Sequence, residues 1–153
     1  NGDFITDSSR IQKRNKYVAV YKNGEFPIEI SYQEDGGSLV IMTPTQKDAT
    51  GFATGTYTDS NNMQLGQSVI ALAGESSLAV ATGIITQIIK EGELVTRIDT
   101  SIPSISVLPG TMFLNLKGEI AGINVSNVGS VSFVPANMVK EFLSRRVPVV
   151  DKK

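Results

Sequence analysis

The sequence predicts an all-β domain, a barrel or a sandwich, closed by a single C-terminal helix. Three observations carry this. Short runs rich in β-branched and aromatic residues recur along the chain, each bounded by Gly, Asn, Asp or Ser. Two intervals between such runs hold the turn pairs Asn23-Gly24 and Lys117-Gly118, which suit tight hairpins. Helical periodicity occurs convincingly once, near the end of the chain.

Tyr17 to Tyr21 and Phe26 to Tyr32 read as two strands of a hairpin, with Asn23-Gly24 in a turn that needs positive φ at both central residues. Ser38 to Met42 and Ser68 to Leu72 are compact apolar runs. Ala79 to Ile89 is longer, and Gly83 inside it marks a bulge or a bend. Leu94 to Ile98 alternates apolar and polar residues. Met112 to Leu116 and Glu119 to Asn124 form a second hairpin about Lys117-Gly118, and Val128 to Val134 closes the series. Beyond it, Met138, Val139, Phe142 and Leu143 share one face of a helix. Asn137 is its expected N-cap, Arg145 and Arg146 suit its C-terminal end, and Val147-Pro148 stops it.

Composition narrows the chemistry. The chain has 153 residues, one domain's worth or two small halves sharing a core, and 41% hydrophobic content suits folding. Its 14 cationic and 15 acidic side chains balance to −1, which gives no electrostatic footprint for nucleic acid. Without Cys there is no disulfide, thiolate nucleophile or thiolate metal site. Without His, the usual neutral-pH general base and the commonest transition-metal ligand are both missing. No cofactor or metal is expected. Glu34-Asp35 is a solvated turn rather than a calcium site, because further spaced oxygen ligands are lacking. Lys13, Arg14 and Lys16 form a small basic cluster, read as a solvated face. No segment approaches the roughly 20 apolar residues of a membrane helix, so no membrane contact is expected of this segment. Asn1-Gly2-Asp3 is no signal peptide and looks like a cut inside a larger protein.

The stretch from Ile98 to Asn124 carries more specific information. It holds Ile98-Asp99-Thr100, then Leu108-Pro109-Gly110-Thr111, then Leu114-Asn115-Leu116-Lys117-Gly118-Glu119-Ile120 and Gly122-Ile123-Asn124. This resembles the nucleophile region of trypsin-like serine proteases of the HtrA type, where a strand reading I-Q-T-D leads to P-G-N-S-G-G-P-L and a closing G-I-N. Other stretches agree in order. Gly2 to Ile11 resembles G-Y-I-L-T-N-x-H-V-V, Ser38 to Met42 resembles D-L-A-V-L, and Leu65 to Gly74 resembles L-G-x-x-V-x-A-I-G. Ala81 to Ile85 resembles T-x-G-I-V, and Val134-Pro135 with the helix resembles A-I-P and the family's closing helix.

The resemblance implies two packed antiparallel β-barrels with a C-terminal helix. The first half spans 1–54, a linking loop 55–64, and the second half with the helix 65–153. The whole polar stretch from Gln46 to Gln64 reads as a surface loop between them. The family's strands before G-Y-I-L-T-N have no counterpart here, so the first barrel is expected to be short of strands, with an edge open to strand addition or oligomerisation.

The same register puts Ser9 at the catalytic His position, Ser38 at the Asp position and Pro109 at the nucleophile position. Proline has neither a hydroxyl nor a backbone N–H, so it would remove the nucleophile and half of the oxyanion hole together. Val107 and Thr111 stand at two glycine positions of the family loop. The expectation is a degenerate protease homologue, not an enzyme, that acts as a scaffold or binds a protein or peptide partner. A plainer reading leaves Ser9 and Ser38 as polar packing and Pro109 as a loop stiffener. Ser130, Val131, Ser132, Phe133 and Val134 match the strand that pairs with substrate in active relatives, so they are the candidate peptide groove, against an ordinary barrel strand. A hydrolase with a non-standard nucleophile would need Ser8, Ser9, Ser104, Ser106 or Thr111 beside a Lys or carboxylate. Compartment is not legible in the residues. The resemblance alone suggests an extracytoplasmic domain, or the soluble part of a membrane-anchored protein.

Overall fold

The computed structural model describes residues 2–12, 16–21, 24–46, 54–73, 79–125 and 130–145. Lys13, Arg14, Lys22, Asn23, Arg146, Val147 and Pro148 lie outside them, as do most of the Gln46–Gln64 stretch's first half and the start of the run at Val128. Four strands form an open, curled sheet: β1 (Phe4–Asp7), β2 (Tyr17–Tyr21), β3 (Gly24–Gln33) and β4 (Leu39–Pro44), in the order β1-β4-β3-β2. Six more close into a barrel: β5 (Ser68–Ala73), β6 (Ala79–Glu91), β7 (Leu94–Thr100), β8 (Met112–Leu114), β9 (Ile120–Asn124) and β10 (Ser132–Pro135). The helix α1 (Ala136–Ser144) follows directly. The expected pair of β-halves with a terminal helix is present, and the first half is an open half-barrel.

The barrel fills with Val69, Ala71, Ile85, Val95, Ile98, Phe113, Ala121 and Phe133. The period of two in β5, where Val69, Ala71 and Ala73 are buried and their neighbours half-buried, is what a strand with one core face requires. Phe113 and Phe133 stack with ring centroids 4.7 Å apart. A second apolar cluster joins the halves: Leu39 and Ile41 from β4, Ile123 and Val125 from the β9 end, and Val139 and Phe142 from α1. β4 is therefore covered twice, because Val40 and Met42 are also buried, and alternation turns them to the opposite face of the sheet.

Five local expectations are corrected. Gly83 is not the bulge; β6 slips register between Ile85 and Gln87 and between Ile89 and Lys90. Gly83 is there because a Cβ would sit 2.7 Å from Ile102 and 2.8 Å from the Ser101 hydroxyl. In the first hairpin Gly24 is already part of β3, paired with Tyr21, and not a turn residue; Asn23 lies outside the described residues. The second hairpin is present, but its strands end at Leu114 and resume at Ile120, around a turn wrapped on buried Asn115, whose Oδ1 accepts from the N–H groups of Lys117 and Glu119.

The remaining two corrections belong together. Residues 56–63 are not a free surface loop. Thr58 N–H donates to the Ile120 carbonyl at 3.0 Å, Ile120 N–H donates to Thr56 at 2.7 Å, and Met63 is buried in the barrel core. Asn137 is not the N-cap: Pro135 is, and it offers no side-chain cap. The first-turn donor of Asn137 is satisfied from elsewhere in the chain. Its N–H donates to Ser60 Oγ at 3.1 Å, while its Oδ1 accepts from Ser60 N–H and its Nδ2 donates to Asp59 Oδ1 at 2.7 Å. This is a reciprocal capping arrangement supplied in trans by the linking segment.

Ser60 is 1% exposed, so removing its hydroxyl leaves a helix donor unsatisfied. Ser60→Ala is expected to cost about 1 kcal/mol, read by thermal or urea unfolding; an unchanged midpoint would remove the trans cap from the account. The hydrogen bond from Asn137, and then that from the Asn61 N–H, hold the Asp59 carboxyl below its usual range. A lowered folded-state pKa stabilises above the unfolded value and is lost as pH falls through the folded one. The difference in stability between the parent and Asp59→Asn should therefore shrink below about pH 4.

Candidate functional site

Where the two halves meet, they leave an open cleft of about 420 Å³ lined by Thr6, Arg10, Leu72, Ala73, Leu108, Pro109, Gly110 and Thr111. One wall comes from the first half. Asp7, buried at the end of β1, caps the single turn Ser8–Arg10 by accepting the Ser9 N–H at 2.7 Å. This turn projects Arg10 to the surface of the cleft. Ser8 N–H donates to the Ser38 carbonyl at 2.8 Å, which ties the turn to the start of β4.

The other wall is the end of β5 and the loop before β8. Thr111 N–H donates to the Leu108 carbonyl at 3.0 Å and Leu108 N–H donates back to Thr111 Oγ1 at 3.1 Å, so the turn carrying Pro109 is closed from both sides. Gly110 N–H donates to the Asn124 carbonyl and Asn124 N–H to the Thr111 carbonyl. Asn124 Nδ2 in turn donates to the Ser132 carbonyl at 2.6 Å, so β9 and β10 brace the loop. Gly110 has φ +87°, and a Cβ there would fall 2.3 Å from Thr6 Oγ1. The loop is pressed onto β1 at a place and a conformation that only glycine fits.

The three degenerate positions are partly reunited. Ser9 and the Ser38 backbone are joined through the Ser8–Ser38 hydrogen bond, and both side chains are exposed. Pro109 lies on the cleft wall that faces Thr6 and Arg10. Ser38 lines instead a small crevice of about 110 Å³ under α1, with Leu39, Met138 and Phe142. Glu34 also borders that crevice and pairs with Arg145 at 2.5 Å, tying the first half to the helix end. The hydrogen bond from Arg145 to Glu141, then that to Glu34, raises the Arg145 pKa. Among the described residues no three His, Cys, Asp or Glu side chains gather as metal ligands.

The strand of the candidate groove is already paired over its central residues. Adding a peptide as a strand needs an unpaired edge, but Ser132 pairs with Asp99 and Phe133 pairs with both Ile98 and Asn124. Val131, too, gives its carbonyl to Thr100 N–H at 2.8 Å. Val131, Ser132 and Phe133 are buried, Val134 packs on the seam between the halves, and only Ser130 is exposed. Of the other hydroxyls, Thr111 is buried and already accepts from Leu108, while Ser104 and Ser106 share a turn whose middle residue Ile105 is 96% exposed. Sequence reasoning missed Thr6, Arg10, Leu72 and Ala73 as site residues. The signal for them was positional: all lie at or just beyond the ends of strands that the motifs identify.

No family model matches the chain, and no curated protein matches it. Among solved structures it is similar to the HtrA-type protease AlgW, determined with a decapeptide, at a TM-score of 0.76 and 16% identity. The likeness covers 94% of this chain and 47% of that one, so the chain spans about half of its relative's length. At that identity the shared property is the architecture. The chain has the trypsin-like fold, with one closed barrel and one half-barrel.

Proposed function

We propose that the chain is a non-catalytic trypsin-like module that holds an extended segment of a peptide or protein partner in the cleft between its halves. The observation that carries this reading is Pro109 on the cleft wall, at the position the HtrA resemblance gives to the nucleophile. Acyl transfer needs an activated hydroxyl or thiol, a base beside it, and N–H donors aimed at the oxyanion. Proline supplies neither hydroxyl nor N–H, and the chain contains no imidazole to serve as base. What the cleft keeps is suited to binding. The exposed lining is mostly polar, with Thr6 and Arg10 on one side and the loop carrying Leu108 and Pro109 on the other. Arg10 adds a cationic side chain at the cleft surface, which favours a partner that bears a carboxylate.

Two measurements test the two halves of this reading. A fluorophosphonate probe is expected to leave the chain unlabelled, and Pro109→Ser is expected to stay unlabelled, because a hydroxyl without a base is a weak nucleophile. Stoichiometric labelling of one Ser in the parent chain, or peptide turnover that tracks with it through purification, would establish a non-standard nucleophile instead. For binding, acidic peptides titrated into isotope-labelled protein should shift the amide signals of Leu72, Leu108 and Thr111. Arg10→Gln should weaken the tightest peptide by about tenfold, the loss of one charge-assisted contact. Peptides that leave the cleft signals unmoved would refute the binding half.

A further inference from the structure

We propose that Thr111 determines what the cleft can recognise, a step that rests on the binding reading above. Its hydroxyl keeps the cleft loop closed on its own backbone donors, so a partner's negative charge is met by Arg10 and not by the loop. What carries this is where the N–H groups of the loop go. Ser106 donates to the Pro103 carbonyl at 2.9 Å and Val107 to the Ser104 carbonyl at 3.4 Å, closing the turn Ser104–Ser106. Leu108 donates to Thr111 Oγ1 at 3.1 Å. Pro109 has no N–H. Gly110 donates to the Asn124 carbonyl at 2.9 Å, and Thr111 to the Leu108 carbonyl at 3.0 Å. From residue 106 to residue 111, every backbone donor ends on a partner within the chain. An anion-binding loop does the opposite, because successive N–H groups converge on a point outside it.

Of these five bonds, four end on carbonyls and one ends on a side chain. Leu108 N–H is therefore the donor that a single substitution releases. Thr111 is 7% exposed, so water does not compete for its oxygen. Its two bonds with Leu108 enclose Pro109 and Gly110 in one turn, and Gly110 reverses the chain there with φ +87°. In the HtrA register Thr111 stands where the family has glycine, which has no side-chain acceptor. Trypsin-like enzymes take one oxyanion donor from the nucleophile and the other from two residues before it. By the same register those donors would be Pro109, which has none, and Val107, whose N–H closes the neighbouring turn. A serine placed at 109 would thus meet a loop still closed at Val107 and Leu108. The cation on the wall across from that loop is Arg10, and it supplies the cleft's attraction for an anion.

Amide hydrogen exchange, read by NMR on isotope-labelled protein, tests the closure without any peptide. Thr111→Val removes the oxygen and keeps the branched shape. The Leu108 amide should then exchange about fivefold faster, the loss of one ordinary hydrogen bond, while the buried strand amides of Val69 and Ile98 keep the parent rate. Thr111→Ala removes the same oxygen and should behave alike, and Thr111→Ser keeps the acceptor and should restore the parent rate. Sulfate titration reads the consequence for recognition. In the parent, sulfate should shift the Ser9 and Ile11 amide signals beside Arg10 and leave the Leu108 and Gly110 amide protons in place; Arg10→Gln should abolish the shift. An unchanged Leu108 rate in Thr111→Val and Thr111→Ala, a Thr111→Ser variant as fast as they are, or a parent Leu108 amide proton that moves downfield with sulfate would each overturn the proposal. Peptides that fail to bind would refute the binding reading and leave these exchange rates as they are.

Discussion

The cleft depends on one apolar seam. Leu39 and Ile41 pack against Ile123, Val125, Val139 and Phe142, and through them the open sheet is held to the closed barrel. The Glu34–Arg145 pair adds a polar tie across the same joint. Among the described residues the half-barrel has four strands, and Tyr17, Ala19, Tyr21, Phe26 and Ile28 of β2 and β3 are half-buried. Among the described residues, its fully buried apolar side chains all come from β4, the strand that supplies Leu39 and Ile41 to the seam. Burying such side chains is worth roughly 1.5–3 kcal/mol each, so the seam stabilises the half-barrel as much as it joins it. The same packing presses Gly110 onto Thr6 and thereby sets the width of the cleft at its floor.

How much of this was legible in the sequence follows from how local each cause is. The strands were legible, because alternation along β5 and the turn residues around Gly118 act within a few residues. The order of elements was legible from the resemblance, since its motifs run through almost the whole chain. The helix was legible but its cap was not. Asn137 has the right side chain two positions too late, and the donor it leaves is met by Ser60, 77 residues earlier. No windowed reading of propensities can see a cap supplied in trans. The stretch after Gln46 was misjudged for the same reason. Its polar composition fits a loop, yet its docking depends on single contacts, Met63 in the core and Thr58 on Ile120.

The site was half legible. The degenerate positions could be located because they sit inside motifs, and the folded chain does bring the Ser9 turn and the Ser38 backbone together. The groove could not be judged, because a strand's sequence does not say whether its edges are free. Ser132 to Val134 reads like any barrel strand, and only the pairing of Phe133 on both sides shows that the edge is taken. Arg10 was passed over because the exposure of a cation at the end of a one-turn cap is decided by the loop that faces it.

β10 and β2 are instructive side by side. Both are short, uncharged and rich in apolar residues, so composition alone treats them alike. In β10 the apolar residues are consumed by the barrel and the seam, and the backbone polar groups are met on two sides. In β2 one side is met by β3 and the exposed valines face solvent. Exposed valines are tolerable in water one by one. What separates the two strands is therefore the packing and pairing each meets in the fold, which composition does not encode.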